Sequence, residues 1–539
     1  MWILGIDTGG TYTDGVIIDR ETKEIHCEAK ALTTPEQLSI GIENCICALK
    51  FFDWDKVELV CLSTTLATNA VVEGKSCSTG VILLGKEPKG EIPAKRKVVI
   101  DSQVNIRGNV QERIHPDEIL RAAETLSKSC EAIAVSGYAS VRNPVQEQEV
   151  KRIIQEKQKI PVVCGHELTG TLGFYERTVT AVLNAGLIPI IQELMHSIEG
   201  VMEAKGIKAP VMVMRGDGSL MRASYALQRP IETVLSGPAA SVVGGMFLSG
   251  LDHCQVIDIG GTTTDIAYVK DGNCRISKEG AVVSGWHTRV RAMEICTFGL
   301  GGDSAIRVGD DASILIGPQK IMPYCRRSDG NTKAGLTPTD ILHASGEFEE
   351  WNRQASRKAI REVSEKLNLT PESVITTLKD AVYAQLETYC SKSREIFAIE
   401  KNTPVVGVGA PAKAWVSKNK TEGQDTVIPP HASIANAVGA AVGRILETTE
   451  VLIRRNKRNK TYLVFTEKQR IQVESLVKGR TTGRELGRKI VMQKAREAGA
   501  DEMTWEEDHR IIQDKQGNWI EECIHITVSG NPTAGRRKE

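Results

Sequence analysis

The sequence predicts an α/β protein whose two similar halves face one shared ligand, followed by a small C-terminal α/β region. The motif D-x-G-G-T-x-T-D occurs twice, as DTGGTYTD from Asp7 and as DIGGTTTD from Asp258, each time after an apolar run. Strand patterns alternate with helical patterns, which is typical of a mostly parallel sheet. The chain has 539 residues, and single cores stop growing at roughly 250 to 300. At least two domains are therefore expected.

The N-terminal pattern predicts three meandering strands and then a helix. The strands are WILGID, GVIID and IHCEAKAL, and the helix opens at Thr34-Pro35-Glu36, where Thr34 can cap and Pro35 suits the first turn. Further buried strands are predicted at VELVCL, STGVILLG, KVVI and AIAVSGY, with helices such as HPDEILRAAETLSKS and NPVQEQEVKRIIQEK between them.

A long helix or helix pair is predicted from Phe174 to about Lys205, after which PVMVMRGDG begins a second set of strands. The opening pattern then returns as QVIDIG, IAYVKDG and NCRIS. A polar, helix-rich region from about 340 to 400 precedes the buried strand TPVVGVGA. A helix rich in small residues starts near His431, and such a helix can pack tightly against a sheet.

The C-terminal part begins with a basic run that is interpreted as a solvated linker or helix end, formed by Arg454, Arg455, Lys457, Arg458 and Lys460. It continues with the strand TYLVFT, a helix from about Thr481 to Ala498, and a hairpin around Lys515-Gln516-Gly517-Asn518. We predict three domains, with limits at 1–185, 186–448 and 449–539.

Composition narrows the class of protein. The formal net charge is zero, which removes the electrostatic argument for nucleic acid or a membrane surface as a partner. The thirteen cysteines are scattered and form no C-x-x-C pair, as in a reduced cytosolic core. The chain has no basic leader, and its longest small-apolar stretches fall short of the roughly 20 residues that span a bilayer. A soluble, cytoplasmic protein is expected.

The repeated motif has the chemistry of a phosphate-binding turn. Adjacent glycines after a strand bring backbone N–H groups close to an anion, and threonine hydroxyls add further donors. The first turn offers Thr8, Gly9, Gly10, Thr11 and Thr13, and the second offers Gly260, Gly261, Thr262, Thr263 and Thr264. Two such turns that face each other would hold the β and γ phosphates of a nucleotide from both sides.

The aspartate that ends each apolar run needs a cation, because a carboxylate and a phosphate repel. Magnesium commonly joins carboxylates to nucleotide phosphates, often through water. Asp7 and Asp258 are therefore the predicted magnesium-binding and catalytic residues.

Two later glycine-rich turns are candidates for the base and ribose of the nucleotide. In TFGLGGDSAI, Gly301 and Gly302 precede Asp303, which with Ser304 is predicted to begin a helix whose N-terminus faces the ligand. In VVGVGAPAKAW, Gly409 follows a buried strand, where ligands of α/β sheets usually bind.

Taken in order, these motifs resemble those of a known protein family. The order DTGGTYTD, STTLATNAVVEGK, YERTVTAVLNA, VLSGPAASVVGG, DIGGTTTDIAYV, GLGGDSAI and GLTPTDIL resembles the ATP-dependent hydantoinase A / 5-oxoprolinase family of the actin-like ATPase superfamily, from residue 3 to about 445. The resemblance implies a duplicated ribonuclease H-like fold with ATP and Mg²⁺ in the cleft between the halves. It also implies ATP-driven opening of a cyclic amide, often with a hydantoinase B-type subunit, and it leaves a homo-oligomer open.

The resemblance of this chain to the family is incomplete at several positions. Asn69, Arg177, Asn184 and the stretch from Ser236 to Pro238 match family motifs, but we assign them no role. The family commonly has G-G-G-S where this chain has Gly301-Gly302-Asp303-Ser304, and Gly-Ala-Gly-Pro where it has Gly409-Ala410-Pro411-Ala412.

Three functions remain open at this point. The first is an ATP-dependent hydrolase of a hydantoin, 5-oxoproline or related lactam or imide, or its ATPase subunit; an acetone-like carbonyl substrate is not distinguished from these. The second is a small-molecule kinase of sugar-kinase type, although AIAVSGYASVRNP offers no aspartate at its strand end as a base. The third is an ATPase that activates a partner. The absence of H-E-x-x-H argues against a zinc hydantoinase.

Overall fold

The computed structural model describes residues 1–34, 37–102, 104, 110, 113–327, 334–416, 425–456, 461–514, 516–517 and 519–533. The strands of the first 250 residues are β1 (Trp2–Thr8), β2 (Tyr12–Asp19), β3 (Ile25–Leu32), β4 (Val57–Thr64), β5 (Thr79–Leu84), β6 (Arg96–Ile100), β7 (Ala132–Gly137), β8 (Val162–Cys164), β9 (Val211–Met214) and β10 (Leu220–Arg222). The helices of the same part are α1 (Leu38–Ala48), α2 (Leu66–Val72), α3 (Pro116–Ser127), α4 (Val145–Lys157), α5 (Gly165–Leu168), α6 (Phe174–Lys205), α7 (Ala223–Ala226) and α8 (Ser236–Ser249).

The first sheet has the order β10-β9-β4-β1-β2-β3. Its centre is β1, which is antiparallel to β2 and parallel to β4, and its apolar residues are buried on both faces. The prediction that PVMVMRGDG begins a second set of strands is wrong, because β9 pairs in parallel with β4 from Val60↔Val211 onward. The chain therefore leaves the first sheet after β4 and returns to it about 150 residues later.

The excursion between β4 and β9 builds a separate sheet. Strands β5 to β8 are all parallel, in the order β6-β5-β7-β8. Helix α3 is amphipathic and packs its apolar residues, among them Ile119 and Leu126, into the core of this sheet.

One helix of this half differs from the prediction, and another takes one of the two predicted forms. Helix α1 begins at Leu38, not at Thr34, and Gln37 N donates to Thr34 O at 3.0 Å just before it. Pro35 and Glu36 lie outside the described residues. Helix α6 is a single helix of 32 residues, as the pattern allowed. Of the helices that the structure describes, α6 alone has the length and composition to cross a bilayer, and 78% of its most apolar stretch is buried inside the protein.

The second half repeats the plan of the first. Its strands are β11 (Cys254–Ile259), β12 (Thr264–Lys270), β13 (Asn273–Cys274), β14 (Val282–Val283), β15 (Trp286–His287), β16 (Ile295–Phe298), β17 (Ser304–Val308), β18 (Ile314–Lys320), β19 (Met322–Pro323), β20 (Ala334–Gly335), β21 (Val405–Val408) and β22 (Thr426–Val427). Its helices are α9 (Pro338–Ser345), α10 (Arg353–Leu367), α11 (Pro371–Phe397), α12 (Ala412–Trp415) and α13 (Ala435–Val442).

The central strand of the second sheet is β11, which is antiparallel to β12 and parallel to β21, just as β1 is antiparallel to β2 and parallel to β4. The full order is β13-β12-β11-β21-β22, with β16 also paired to β12. The duplication that the repeated motif predicts is therefore present in the topology of both sheets.

Helices α8 and α13 cross at a point where no side chain separates their backbones. A Cβ added to Gly244 would stand 1.8 Å from Ala435 O, and one added to Gly439 would stand 1.9 Å from Ala240 O. Helix α13 packs mainly on the first sheet, whereas α8 packs on β11 and β21 of the second. The crossing thus joins the two halves through glycines that no larger residue could replace without a backbone shift.

The C-terminal region is a five-stranded antiparallel sheet covered by one helix. Its elements are β23 (Ile445–Arg455), β24 (Tyr462–Phe465), β25 (Arg470–Val473), α14 (Leu476–Ala498), β26 (Ala500–Gln513) and β27 (Trp519–Pro532), in the sheet order β25-β24-β23-β27-β26. The predicted hairpin is confirmed by the antiparallel pairing of β26 with β27, and two residues of its turn, Lys515 and Asn518, lie outside the described residues.

The interpretation of the basic run as a linker or helix end is wrong for Arg454 and Arg455. Both belong to β23, where they pair with Leu463 and Tyr462 of β24; Lys457, Arg458 and Lys460 lie outside the described residues. Helix α14 begins at Leu476, earlier than predicted, because the Ser475 hydroxyl caps it by accepting from Lys478 N at 3.2 Å.

The predicted fold class is confirmed: an α/β protein with two similar halves and a C-terminal α/β region. The apolar core of the first sheet continues into the C-terminal sheet through residues such as Ile453 and Ile526. The domain limits stay predictions, since α6 runs through residue 185 and β23 through residue 448.

Candidate functional site

The two copies of the motif fold into the same turn. In the first, Asp7 pairs with Asp14 across β1 and β2, and Gly9 N donates to Tyr12 O at 2.9 Å. In the second, Asp258 pairs with Asp265 across β11 and β12, and Gly260 N donates to Thr263 O at 2.9 Å. Each turn therefore stands at the carboxyl end of a central strand.

The two turns meet tip to tip. A Cβ added to Gly261 would stand 3.4 Å from the Thr11 hydroxyl. From the second half, Lys320 at the end of β18 donates from Nζ to the same hydroxyl at 3.2 Å. The cleft between the halves thus narrows where both turns expose their glycines.

Asp7 is buried at the floor of this cleft, with 2% of its surface exposed. Its Oδ1 accepts from the Ser63 hydroxyl of β4 at 2.6 Å, and its Oδ2 accepts from Asn436 Nδ2 of α13 at 2.6 Å. Burial raises the pKa of Asp7 to about 7. The Asp7 carboxylate is therefore positioned by two neutral donors.

Asp14, beside Asp7, is paired with Lys30 of β3 at 2.5 Å. Burial still raises the pKa of Asp14, although Lys30 acts in the opposite direction. In the second turn, burial also raises the pKa of Asp258, and a hydrogen bond from Ser241 opposes that rise.

Asp265 is a residue that the sequence reasoning did not assign to the site. Its Oδ1 accepts from the Thr297 hydroxyl at 2.6 Å, and enclosure in the cleft raises its pKa to about 7. It occupies the place in the second turn that Asp14 occupies in the first, but the structure gives it no ion pair in the part of the chain that it describes. The final aspartate of the repeated motif was the signal that could have identified it.

This donor set fits a divalent cation. Four carboxylates, those of Asp7, Asp14, Asp258 and Asp265, influence one another electrostatically, and Lys30 acts on three of them, Asp7, Asp14 and Asp258. Oxygen ligands of this kind suit Mg²⁺, which keeps several waters and joins carboxylates to phosphates. Asp7 and Asp258, at the ends of the two central strands, are the residues that would hold it.

The threonines of the turns differ in what they can offer a ligand. Thr13 and Thr264 are fully buried; the Thr13 hydroxyl contacts that of Thr33 at 3.1 Å, and the Thr264 hydroxyl donates to Leu300 O at 2.6 Å. Thr11 is partly exposed and Thr262 is exposed at the tips. Thr8 is buried and accepts at its carbonyl from Thr65 N at 3.2 Å. Thr263 is also partly exposed, and its hydroxyl donates to Asp265 Oδ2 at 3.4 Å, so Thr11, Thr262 and Thr263 are the threonines of the turns that a ligand could reach.

The turn at Gly301 and Gly302 supports the second motif from behind. Gly302 N donates to Gly260 O at 3.0 Å and Asp303 N donates to Gly261 O at 2.7 Å. A Cβ added to Gly301 would stand 2.6 Å from the backbone of Gly261. These contacts hold the second turn in place. Packing against Gly261 therefore requires a glycine at position 301 whether or not a ligand binds.

The prediction that Asp303 and Ser304 begin a helix is wrong. Ser304 opens β17, because the following residues, Ala305 to Val308, pair with β18 instead of coiling. The Asp303 carboxylate is buried and forms an ion pair with Arg326. The helix near this turn is α9, whose Thr339 donates from its hydroxyl to Gly302 O at 2.7 Å.

Gly409 follows β21, as predicted, and lies beside Asp258. Its φ is +91°, and an added Cβ would stand 2.7 Å from Asp258 Oδ1. Only a glycine lets the backbone pass this close to the carboxylate without strain.

The family-motif residues without a predicted role mostly hold backbone segments. Asn184 receives a hydrogen bond from Ile231 N at 3.1 Å, Ser236 donates to Thr64 O at 2.8 Å, and Arg177 donates to Gly137 O at 2.7 Å. Asn69 differs, since its Nδ2 lies 3.5 Å from the position of an added Gly10 Cβ, at the edge of the first turn.

The chain is similar to known proteins in both sequence and fold. A family model described as hydantoinase/oxoprolinase matches residues 177–449, and a model of the hydantoinase/oxoprolinase N-terminal region matches residues 3–158. The chain is 27% identical over 420 residues to the caprolactamase subunit alpha of Pseudomonas jessenii, covering 68% of this chain and 59% of that one. It is 27% identical over 422 residues to the acetophenone carboxylase gamma subunit of Aromatoleum aromaticum, covering 67% and 56%. These matches span less than two thirds of either relative.

Two solved structures share the fold. A nucleotide-free acetone carboxylase structure superposes with a TM-score of 0.75 at 19% identity, covering 98% of this chain and 87% of that one. The ATP-dependent caprolactamase from Pseudomonas jessenii superposes with a TM-score of 0.71 at 20% identity, covering 100% and 88%. At these identities the likeness concerns the fold.

Proposed function

This chain belongs to the hydantoinase/oxoprolinase family, and on that premise we propose that it binds ATP with magnesium between its halves and uses the γ-phosphoryl group to open a cyclic amide. Hydantoins, 5-oxoproline and related lactams or imides are the proposed substrates. The chain acts alone or as the ATPase subunit of such an enzyme.

The close approach of the two turns is the observation that supports this proposal. A phosphate chain placed between Gly10 and Gly261 would have backbone N–H groups on both sides, and Lys320 would stand beside it. Positioning and charge neutralisation account for most of the catalysis of phosphoryl transfer. Magnesium held by Asp7 and Asp258 would neutralise the phosphate charge.

The chemistry requires a phosphoryl donor because an unstrained amide is a poor electrophile. The carbonyl oxygen forms a bond to the γ-phosphorus and ADP leaves. A water adds to the activated carbon, and the C–N bond breaks as the nitrogen takes a proton. A second water releases the phosphate, so one ATP and two waters give ADP, phosphate and a linear amino acid or carbamoyl compound.

A carboxylase subunit is the second candidate, and the names of relatives favour it. The acetophenone carboxylase gamma subunit and the acetone carboxylase beta subunit of Xanthobacter autotrophicus, 22% identical over 508 residues, both resemble this chain. Phosphorylation of an oxygen next to the reacting carbon would serve carboxylation as well as hydrolysis.

The two further alternatives make different products. A kinase of sugar-kinase type would leave the phosphoryl group on a stable ester, and a partner-activating ATPase would release phosphate without changing any small molecule. Strand β7 ends at Gly137, and the described residues 138–141 that follow it include no aspartate to act as the base of a sugar kinase.

A partner subunit of hydantoinase B type is part of the proposal. Three relatives are named as subunits, the caprolactamase alpha, acetophenone carboxylase gamma and acetone carboxylase beta subunits. We expect ring opening to need this partner, because attack on the activated carbon requires a placed water.

The test is the fate of the γ-phosphoryl group. The protein is incubated with ATP, magnesium and a panel containing 5-oxoproline, hydantoin and caprolactam, alone and with any B-type subunit encoded beside it, and the products are identified by mass spectrometry. A linear product formed in equal amounts with ADP and phosphate is expected. A stable phosphorylated compound made by this chain alone would contradict the hydrolase and favour the kinase.

A further inference from the structure

A cavity separate from the cleft between the halves lies at the opposite end of β1 from Asp7. It measures about 450 Å³, and Ile3, Leu59, Ala441 and Pro532 are among the residues that line it. Ile3 precedes Asp7 by four positions in β1, which at about 3.3 Å per strand residue is roughly 13 Å. The cavity therefore lies in the same half as the first phosphate-binding turn but does not belong to it.

The floor of this cavity is apolar and already formed. Ile3 of β1 and Leu59 of β4 are 3% and 2% exposed, and Ala441, in the last turn of α13, is 2% exposed. Pro532, at the end of β27, closes one side. A cavity of this size with an apolar floor suits a small organic molecule.

The mouth of the cavity is cationic. Arg20, Lys23 and Arg444 line it, and Arg20 is paired with Glu58 at 2.9 Å. Lys23 and Arg444 form no ion pair within the residues that the structure describes. The nearby Asp19 is engaged by the backbone N–H groups of Glu21 and Thr22 at 2.8 and 2.9 Å.

Both arginines act on Lys23. Desolvation lowers the pKa of Lys23, repulsion from Arg20 and Arg444 adds to that effect, and attraction to Asp19 opposes it. Charges of one sign around a concave surface raise the local concentration of counter-ions. An anion in the mouth would relieve this repulsion.

We propose that this cavity is a binding site for a small organic anion, whose carboxylate pairs with Lys23 and Arg444 while its apolar body covers Ile3 and Leu59. The cavity joins three elements, since its walls come from the first sheet, from α13 and from the last strand of the C-terminal sheet. A bound anion would hold the C-terminal region against the first half.

The same helix connects the cavity to the first site. Helix α13 ends at the cavity with Val442, and its second residue, Asn436, which donates to Asp7, lies six residues earlier. At 1.5 Å per helical residue the two positions are roughly 9 Å apart along the axis. The anion site is therefore placed to influence the residue that positions the Asp7 carboxylate.

Titration calorimetry with hexanoate tests the proposal, on protein saturated with ADP and magnesium so that the cleft is filled. Hexanoate is expected to bind the wild-type protein. The double variant Lys23→Gln/Arg444→Gln should weaken binding about tenfold, as expected for the loss of two exposed charges that pair with the ligand. Absence of hexanoate binding to the wild-type protein, or equal binding to the double variant, would overturn the site.

Three controls make the result specific. Lys50→Gln changes an exposed lysine that, like Lys23, has a positive φ, 51° against 63°, and it should leave hexanoate binding unchanged. Hexanol and inorganic phosphate should each bind more weakly than hexanoate, since one lacks the charge and the other the apolar body. A loss of binding with Lys50→Gln, or tighter binding of hexanol or phosphate, would contradict the proposed ligand class. Thermal unfolding of each variant checks that it folds.

Discussion

Lys320 Nζ of the second half lies 3.2 Å from the Thr11 hydroxyl of the first, to which it donates a hydrogen bond across the mouth of the cleft. The two residues are 309 positions apart in the chain. The lysine is exposed, so a nucleotide can reach it. This bond joins the end of β18 to the first turn and places a cation where the end of a phosphate chain would lie in the proposed nucleotide complex.

Replacement of Lys320 by methionine should therefore weaken ATP binding more than ADP binding. A lysine near the terminal phosphate pairs with a group that ADP lacks, and loss of one such charge-assisted hydrogen bond is expected to cost about tenfold in affinity. Calorimetry of both nucleotides with magnesium measures the difference. Thr11→Val is the matched variant, because it removes the other partner of the same bond. Equal losses for ATP and ADP in both variants would mean that Lys320 only holds the turn.

Asp7→Asn and Asp258→Asn should each lower magnesium-dependent ATP turnover by orders of magnitude while the protein stays folded. Both side chains stand at the carboxyl end of a central strand, and both changes keep the shape while removing the charge that would hold the cation. Turnover is measured by phosphate release at several magnesium concentrations, with circular dichroism as the control of folding. Unchanged turnover in both variants would contradict the metal assignment.

Much of the fold could be predicted because the repeated motif marks its own context. Each copy lies between two strands, and the spacing of Asp7 and Asp14 returns in Asp258 and Asp265. The place of β9 could not be predicted in this way, since nothing in VMVM says which sheet edge it joins, and its partner β4 lies beyond an inserted sheet. Helix-capping residue types at Asp303 and Ser304 misled the prediction there, because pairing with β18 overrides local preference.

The site was predictable only where the motif itself supplies the residues. Ser63, Asn436 and Lys320 reach the first turn from 56, 429 and 309 positions away. A single serine, asparagine or lysine has no local pattern that distinguishes it from its neighbours. These contacts depend on the packing of α13 and β18 against the first half, which no short stretch of sequence encodes.

Gly302→Val should weaken nucleotide binding and also lower the thermal midpoint. An added Cβ would stand 2.7 Å from the Thr339 hydroxyl, which donates to Gly302 O. The two effects can be separated with Thr339→Ala, which removes that hydroxyl and should restore part of the stability but none of the nucleotide affinity. Restoration of both by the second change would show that Gly302 shapes the turn and does not line the ligand.

Gly439→Ala should destabilise the protein more than an alanine does at an exposed helix position. The added methyl would stand 1.9 Å from Ala240 O and 2.8 Å from Gly244 N, so that α8 and α13 must separate. Overpacking of this kind typically costs about 1 to 3 kcal/mol. Gly200→Ala in α6 is the matched control, because an added Cβ there has no neighbour within 4 Å, and it should be neutral or stabilising. Chemical denaturation of both variants gives the comparison, and equal stabilities would contradict the tight crossing.

Magnesium binding should strengthen as the pH rises toward 7 and then level off. The pKa of Asp7 and that of Asp265 are raised to about 7 by burial, so below that pH the nucleotide-free protein carries protons on these groups that the cation must displace. The effect of pH on the stability of the fold has the opposite sign. Because the folded pKa values lie above those of the unfolded chain, these groups contribute to stability at low pH. That contribution is lost as the pH rises from about 4 through 7. Added magnesium should oppose that loss by pairing with the carboxylates once they are charged.

Thermal unfolding at pH 5 to 8, with and without magnesium, measures the shift in the unfolding midpoint that the metal causes. Nucleotide is omitted, so that the titration of its phosphates does not contribute. The shift should grow up to about pH 7 in the wild-type protein and should be smaller and flatter in Asp7→Asn. A shift that is the same at pH 5 and pH 8 would contradict the role of Asp7 as a metal ligand with Asp265 as a neighbour that becomes charged.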